Sequence, residues 1–349
     1  MKALRFYGSH NLRLEDVPRP DPGPGEVRVK PMAVGICGTD QHILDGSYNS
    51  CPPLTLGHEV AGFVDAVGHG VRGIREGDLI TVEPHRYCGV CRYCRLGKEH
   101  LCLEKRAFGV HLDGGMAEYE VIPERAAYRL PDGMDPRVGA LCEPLSCCVH
   151  GMDRLAPRSG MSIVVFGAGP AGLMLVGLCR LAGLTSITVV EPDSARRQSA
   201  RDFGANAAVD PSTEGWEDEA QRTVGGFGFD YAVEAVGSPR VLESAIRLAA
   251  RQGTILVFGV ANPSEVAAIR PQEVYVKELT ILGTAINPYT HYRAVEVLPA
   301  LGLNRLDIRT YSLDAYADAF EAQHQRLAGK IQLAPQASQA ASHLTEDGS

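Results

Sequence analysis

The most distinctive chemical feature of the sequence is a group of four cysteines in the first third of the chain. Two, two and seven residues separate them, at Cys88, Cys91, Cys94 and Cys102. Thiolates at such spacings can enclose one metal ion tetrahedrally, and a zinc site closed in this way is structural because no position remains for a substrate. An iron–sulfur cluster is the alternative, since C-x2-C-x2-C also occurs in ferredoxins. The seven residues before the fourth cysteine, with no proline after it, favour zinc.

A second set of candidate metal ligands combines different residue types. Cys37 lies in Gly-Ile-Cys-Gly-Thr-Asp, and His58 and Glu59 lie in Gly-His-Glu. Zinc prefers thiolate and imidazole ligands, and a catalytic site normally has three protein ligands plus water. Either Glu59 or Glu143, an acid in an otherwise apolar segment, would complete this set, and we expect both carboxylates near the metal. Asp40 can accept a hydrogen bond from a ligand histidine and fix its tautomer.

A glycine-rich stretch in the middle of the chain has a different chemistry. The apolar run 163–166 leads into Gly167, Gly169 and Gly172, and a mostly apolar segment follows. This order predicts a strand, a tight turn and a helix whose free N–H groups bind a pyrophosphate. The next β-branched run ends at Glu191, about 20 residues on, where an acid binds ribose hydroxyls.

The predicted cofactor is NAD, because Glu191 would repel a 2′-phosphate. Arg196 and Arg197 argue in the other direction, since they can turn toward such a phosphate. The loops after later predicted strands should also reach the cofactor. The predicted cofactor-binding residues are Gly167, Gly169, Pro170, Ala171, Gly172, Glu191, Arg196, Val236, Gly259 and Val260.

Two kinds of predicted structure position these groups. Strands and helices alternate from residue 162 to about 284, which indicates a doubly wound parallel (Rossmann) sheet and an α/β fold class. The strands are predicted at 162–167, 186–191, 206–209, 229–234, 253–259 and 279–283. Helical stretches are predicted between them, including Ala195–Phe203 and Pro239–Ala250. Residues 1–34 and the segments after them contain short alternating runs, which predict a β-rich, barrel-like domain. The Ala/Ser/Gln-rich stretch 335–349 predicts a frayed tail.

Length and composition exclude several classes of function. A chain of 349 residues is long enough for two domains with sizeable cores. The net charge of −8 argues against nucleic-acid binding, which requires an excess of basic residues. No apolar run approaches the roughly 20 residues that span a bilayer, and the N-terminus lacks the apolar core of a signal peptide. Half of the 10 cysteines stand in metal-ligand contexts, so the expected compartment is the reducing cytoplasm.

In this order along the chain, the motifs resemble the zinc-dependent medium-chain alcohol dehydrogenase family over about residues 1–332. The resemblance implies a GroES-like catalytic domain formed by 1–147 and 285–349, with a dinucleotide-binding domain at 148–284 inserted between. It implies that Cys37, His58 and an acid hold a catalytic zinc. It also implies that a proton relay uses the two side chains Thr39 and His42. A homodimer or homotetramer is implied as well, which sedimentation at micromolar concentration would test.

The resemblance implies hydride transfer between NAD and a secondary alcohol, with two zinc ions per chain and a small alcohol or ketone as substrate. Glu143-Pro-Leu is similar to the polyol, butanediol and threonine dehydrogenase branch, so a polyol or cyclitol is expected. An aminocyclitol dehydrogenase of the 2-deoxy-scyllo-inosamine type is the closest alternative. Ile286-Asn287 stand where sorbitol-type enzymes carry Arg-Tyr, which argues against sorbitol itself. A non-catalytic binding protein on this fold would be expected to lack Thr39, His42 or a metal ligand.

Overall fold

The computed structural model describes residues 1–337, so most of the predicted tail at 335–349 lies outside the described residues. The chain divides into two compact units. Of the described residues, unit 1 contains 1–144, 291–299 and 303–337, and unit 2 contains 145–290 and 300–302. Within residues 1–337, no helix combines the length and apolar character needed to cross a membrane.

The regular elements are numbered along the chain. The strands are β1 (Lys2–Phe6), β2 (Leu12–Asp16), β3 (Glu26–Gly35), β4 (Leu54–Thr55), β5 (Glu59–Val67), β6 (Leu79–Val82), β7 (His85–Arg86), β8 (Arg106–Ala107), β9 (Glu120–Pro123), β10 (Ala127–Arg129), β11 (Ser162–Phe166), β12 (Ser186–Val190), β13 (Ala207–Val209), β14 (Phe229–Glu234), β15 (Ala249–Val257), β16 (Thr280–Gly283), β17 (Ile308–Ser312) and β18 (Lys330–Ala334). The α-helices are α1 (Gly38–Leu44), α2 (Arg92–Arg95), α3 (Pro136–Gly139), α4 (Cys142–Leu155), α5 (Pro170–Leu181), α6 (Ser194–Asp202), α7 (Trp216–Arg222), α8 (Pro239–Leu248), α9 (Pro271–Lys277), α10 (His291–Val297) and α11 (Tyr316–His324).

Unit 1 is the predicted β-rich domain. Its largest sheet has the order β10-β6-β5-β3-β18-β17, and β9 also pairs with β3. Pro31 lies inside the central strand β3, where it cannot donate a ladder hydrogen bond. The register with β5 shifts between Pro31 and Ala33, and Gly62 opposite leaves room, since a Cβ there would lie 2.3 Å from the Lys30 carbonyl oxygen. The pairing aligns Gly35, the last residue of β3, with Glu59, the first of β5.

Unit 2 contains the predicted doubly wound sheet. Its six strands are parallel, in the order β13-β12-β11-β14-β15-β16. Numbered within the sheet, this is the order 3-2-1-4-5-6 of a fold built from two mononucleotide-binding halves. All residues of the central strand β11 are buried, as expected for a strand covered on both faces. The prediction of helix from Pro239 to Ala250 was wrong at its end. The helix stops at Leu248, and Ala249 adopts extended geometry because it pairs with Phe229 in the sheet.

A buried histidine in unit 1 makes the stability of the fold depend on pH. His291 is fully buried, its ring lies 4.8 Å from that of Tyr128 between centroids, and its Nε2 is 3.4 Å from the hydroxyl oxygen of Thr81. Burial, and next the neighbouring His85, lower the pKa of His291 to about 3. Histidine in the unfolded chain titrates near pH 6.5. The unfolded state therefore binds the extra proton first, and stability is lost as the pH falls from about 6.5 toward 3.

We expect the free energy of unfolding to fall by about 1 kcal/mol between pH 6.5 and 5.5 through this histidine alone. The His291→Gln variant, which cannot titrate, should show a shallower decline in urea unfolding measured at both pH values. His324→Gln on α11 replaces an exposed histidine and is the matched control. An equally steep decline in wild type and His291→Gln would contradict the assignment.

Candidate functional site

The four cysteines converge in one lobe of unit 1, where Cys91 precedes α2 and Cys102 follows a short 3-10 turn. Their ligand atoms all lie within 4.8 Å of one another. The sulfurs of Cys91 and Cys94 are 3.5 Å apart, as are those of Cys88 and Cys102, and Cys88 and Cys94 are 3.9 Å apart. Four thiolates at about 2.3 Å from a tetrahedral zinc stand about 3.8 Å from each other. The donor set therefore fits a closed zinc site.

Backbone groups prepare these sulfurs for the thiolate state. The N–H of Cys91 donates to the sulfur of Cys88 at 3.3 Å, and the N–H of Cys88 lies 3.5 Å from the sulfur of Cys102. The backbone N–H of Cys94 lowers the pKa of Cys91 to about 6. Hydrogen bonds to the charged form favour it, so Cys91 is prepared for the deprotonated state that a metal requires. Burial acts in the opposite direction on Cys94 and raises the pKa of that thiol to about 12.

Cys37, His58 and Glu59 form a second cluster, also in unit 1, with ligand atoms within 4.8 Å of one another. Cys37 lies two residues after the end of β3, and β5 begins only at Glu59. His58 therefore lies before the regular strand begins. The rule that successive strand residues point to opposite faces does not apply to it, so the side chains of His58 and Glu59 can lie on the same side. Gly57 permits this geometry: its φ is +97°, and a Cβ would approach a side-chain carbon of Met116 to 2.6 Å.

Asp40 links the cysteine and the histidine of this cluster. One oxygen of the fully buried Asp40 carboxylate accepts the backbone N–H of Cys37 at 2.8 Å, and the other lies 3.6 Å from Nδ1 of His58. Burial lowers the pKa of His58, but Asp40 and Cys37 outweigh burial and raise it. That second oxygen of Asp40 and Nδ1 of His58 have no hydrogen-bond partner among residues 1–337. A histidine that ligates through Nε2 and turns Nδ1 toward a carboxylate has this arrangement, so the donor set fits zinc.

Glu143 lies near this cluster but is not one of its three residues. The residue is in the first turn of α4 and is buried. Burial raises its pKa to about 7, and His58 opposes that shift more strongly than Lys330 does, while Glu59 and Glu83 add to it. The structure thus brings Glu143 near the cluster without including it in the three-residue group.

Sequence reasoning missed a polar group near Glu143. Nδ1 of His85 lies 2.9 Å from a carboxylate oxygen of Glu83, and the hydroxyl of Tyr87 donates to the same oxygen at 3.4 Å. Glu83 and His85 are only two residues apart in Glu-Pro-His-Arg-Tyr, which matches no metal-ligand spacing. The available signal was the presence of two polar side chains directly after the buried strand β6.

Thr39 and His42 share the short helix α1 and lie three residues apart, which places them on one helix face. The hydroxyl of Thr39 is 3.8 Å from the sulfur of Cys37. The His42 side chain is 50% exposed, and its Nδ1 is 3.2 Å from the hydroxyl oxygen of Ser47. One end of this pair therefore adjoins the metal cluster, and the other contacts solvent.

The glycine-rich turn of unit 2 has the geometry that a pyrophosphate needs. Gly167 has φ +98°, and a Cβ on Gly172 would lie 2.1 Å from the Gly167 carbonyl oxygen. Gly169 is the N-cap of α5, and Pro170 is its first residue, a position where the missing N–H costs nothing. Ala171 follows in the first turn. Free N–H groups at such a helix start can donate to a phosphate.

Glu191 stands directly after β12 and is held by the turn. Its two carboxylate oxygens accept the backbone N–H groups of Ala168 at 2.9 Å and Asp193 at 3.1 Å. Arg197 donates to the carbonyl oxygens of residues 191 and 192 and lies 3.1 Å from Asp210. The backbone N–H of Arg196 donates to the N-cap Asp193. The structure therefore engages Arg197 in the fold and leaves the Glu191 carboxylate beside the phosphate turn.

The remaining predicted cofactor residues lie after the later strands of the sheet. Val236 and Val260 are 50% and 76% exposed. A Cβ on Gly259 would lie 2.1 Å from the backbone nitrogen of Gly237, so two loops pass at backbone contact. The buried carboxylate of Glu234 accepts N–H groups of Val236 at 2.8 Å and Gly237 at 2.7 Å. The sequence indicated these loops but not the carboxylate that holds them.

Comparison with known proteins agrees with this combination of a β-rich unit and a parallel dinucleotide-binding sheet. Residues 23–132 match the model of the alcohol dehydrogenase GroES-like domain, and residues 170–300 match that of the zinc-binding dehydrogenase domain. The chain is 35% identical to L-threonine 3-dehydrogenase of Pyrococcus abyssi over 95% of this chain and 96% of that protein. It is 29% identical to a sorbitol dehydrogenase of Halalkalibacterium halodurans, over 96% and 99%.

Among solved structures, the fold is similar to a protein of Sinorhizobium meliloti described as a zinc-binding dehydrogenase and crystallised with NADP. The TM-score is 0.91 and the identity 38%, over 96% of this chain and 99% of that one. A parallel dinucleotide sheet, a β-rich unit and zinc-binding dehydrogenase sequence together define the class: the protein is an oxidoreductase. The chain belongs to the zinc-dependent medium-chain alcohol dehydrogenase family.

Proposed function

We propose that this dehydrogenase oxidises a secondary alcohol of a polyol or cyclitol with NAD. Unit 1 would be the catalytic domain, and unit 2 would bind the dinucleotide. The observation that carries the proposal is the thiolate–imidazole–carboxylate cluster of Cys37, His58 and Glu59. Three protein ligands leave a fourth zinc position for the substrate oxygen.

Zinc in this cluster would supply a Lewis acid that stabilises the alkoxide form of the substrate. Thr39, whose hydroxyl lies 3.8 Å from the Cys37 sulfur, accepts the alcohol proton. His42 passes that proton to solvent from its half-exposed position. Asp40 keeps His58 in the orientation that ligation needs. A nicotinamide cofactor bound by unit 2 would supply the acceptor for the hydride of the substrate carbon.

The polar group formed by Glu83, His85 and Tyr87 supports a substrate with further hydroxyl groups. Its carboxylate, imidazole and phenol contact one another, and the charge of Glu83 acts on Glu143. Adjacent hydroxyls of a polyol or cyclitol can donate to such acceptors. The likeness to the sorbitol dehydrogenase supports the same substrate class.

L-threonine is the second candidate substrate. The Pyrococcus relative at 35% identity is a threonine dehydrogenase, and the carboxylate of Glu83 can also pair with an ammonium group beside the reacting carbon. An aminocyclitol would present the same pairing of hydroxyl and amine. The two candidates differ in the carboxylate that threonine carries.

The test combines metal analysis with turnover. We expect two zinc ions per chain, and NADH formation with polyols or cyclitols in a panel that also contains aminocyclitols and L-threonine. One zinc per chain, or iron with visible absorption, would contradict the metal assignment. Turnover restricted to L-threonine would replace the polyol proposal with the second candidate.

His42→Ala should slow alcohol oxidation more below neutral pH than above it. The relay base matters most where hydroxide is too scarce to replace it, and we expect a loss of about a hundredfold in kcat at pH 6. The measurement is kcat against pH for wild type and variant, with His324→Gln as an exposed-histidine control. Parallel profiles would show that His42 is a surface histidine with no part in proton transfer.

A further inference from the structure

A buried lysine makes direct contact with one of the candidate metal ligands. Lys330 begins β18, is 6% exposed, and places its Nζ 2.5 Å from Oε2 of Glu59. The contact joins two residues of unit 1 that are far apart in the sequence.

Gly35 provides the space for this contact. It pairs with Glu59 across β3 and β5 and with Gln332 across β3 and β18. A Cβ at Gly35 would lie 1.9 Å from Oε2 of Glu59 and 2.9 Å from Cε of Lys330. Any side chain at this position would therefore push the carboxylate and the lysine apart. The absence of one lets an ammonium group approach the cluster from the side of β18.

The Glu59 carboxylate consequently serves two sites. One oxygen contacts the ammonium of Lys330, and a carboxylate oxygen lies within 4.8 Å of the ligand atoms of Cys37 and His58. Burying an ammonium group is costly unless an anion and hydrogen bonds compensate. Groups behind metal ligands orient them and tune their strength as donors.

We propose that Lys330 is a positioning residue that shares the Glu59 carboxylate with the catalytic metal and keeps it a weak, displaceable ligand. This rests on the proposed catalytic zinc. When the ammonium is present, part of the negative charge of the carboxylate is neutralised by Lys330. When it is absent, the metal is the remaining cation for a buried carboxylate, and Glu59 binds it tightly. Glu59 would then stay bound when water or the substrate oxygen takes the fourth position, and the coordination number of the metal would rise.

The test compares Lys330→Met with Lys330→Arg, Glu59→Gln and the double variant Lys330→Met/Glu59→Gln. The cobalt(II)-substituted proteins report coordination number through the intensity of their visible d–d bands, and transfer of zinc to a chelator reports metal retention. We expect Lys330→Met to release the second zinc at least about tenfold more slowly and to show weaker d–d bands. Lys330→Arg should resemble wild type. The double variant should show neither effect, because a coupling through Glu59 vanishes when Glu59 is neutral.

Several results would overturn the inference. These are unchanged or faster zinc release in Lys330→Met, or slower release that persists in the Glu59→Gln background. If Lys330→Met does not fold, Lys330→Gln offers the carboxylate a neutral hydrogen-bond donor, and the same comparison applies. A wild-type protein with only one zinc would refute the proposed catalytic site. A wild-type protein with two zincs and a Lys330→Met variant identical to it would refute only the role of Lys330.

Discussion

Glu59→Ala and Glu143→Ala should each reduce turnover by about a hundredfold or more while the four-cysteine zinc stays bound. Loss of groups that merely support a metal ligand costs about tenfold to a hundredfold, and carboxylates beside the metal should cost at least as much. Glu59 belongs to the tight cluster with Cys37 and His58. Glu143 is a buried acid whose pKa responds to His58 and Glu59, so its charge acts on the same site.

The measurement is zinc content and kcat for each variant. Glu76→Ala is the matched control, because it removes an exposed acid of unit 1. We expect between one and two zincs per chain in the two active-site variants and two in the control. A Glu143→Ala enzyme with full activity and both zincs would remove Glu143 from the site. The same result for Glu59→Ala would leave Glu59 as a partner of Lys330 alone.

Most of unit 2 could be predicted because its signals are local. The strand before Gly167 is a continuous apolar run, as a strand buried on both faces requires, and the turn needs glycines at fixed offsets. Both features lie within ten residues of each other along the chain. The wrong helix end at Ala249 arose because pairing with Phe229 decided the conformation there, and no local signal describes that partner.

The clustering of the candidate metal ligands could also be predicted, since their residue types and flanking glycines are short-range features. The residues that surround these ligands could not be predicted from the sequence. Lys330 meets Glu59 only because β18 joins the sheet beside β3, and Gly35 shows its importance only when its neighbours are known. Glu83 is an ordinary acid in the sequence and becomes a candidate substrate contact through its position near Glu143.

The second large effect expected is on the choice of cofactor. Wild type should use NAD with a higher kcat/KM than NADP, and Glu191→Gln should shift the ratio toward NADP by at least about tenfold. Backbone N–H groups of Ala168 and Asp193 hold the Glu191 carboxylate beside the phosphate turn. There it can accept hydrogen bonds from ribose hydroxyls and repel a 2′-phosphate. Arg197 is engaged by Asp210, so it does not offset that repulsion.

Glu191→Gln removes the negative charge without changing the shape of the side chain, because the amide keeps one oxygen as a hydrogen-bond acceptor. We therefore expect a modest fall in kcat/KM for NAD and a rise for NADP, measured by absorbance with a single alcohol. Glu219→Ala, which removes an exposed acid on α7, should leave the ratio unchanged. The NADP-bound relative from Sinorhizobium meliloti makes the comparison decisive. A wild-type preference for NADP would mean that Arg196, rather than Glu191, faces the position where the two cofactors differ.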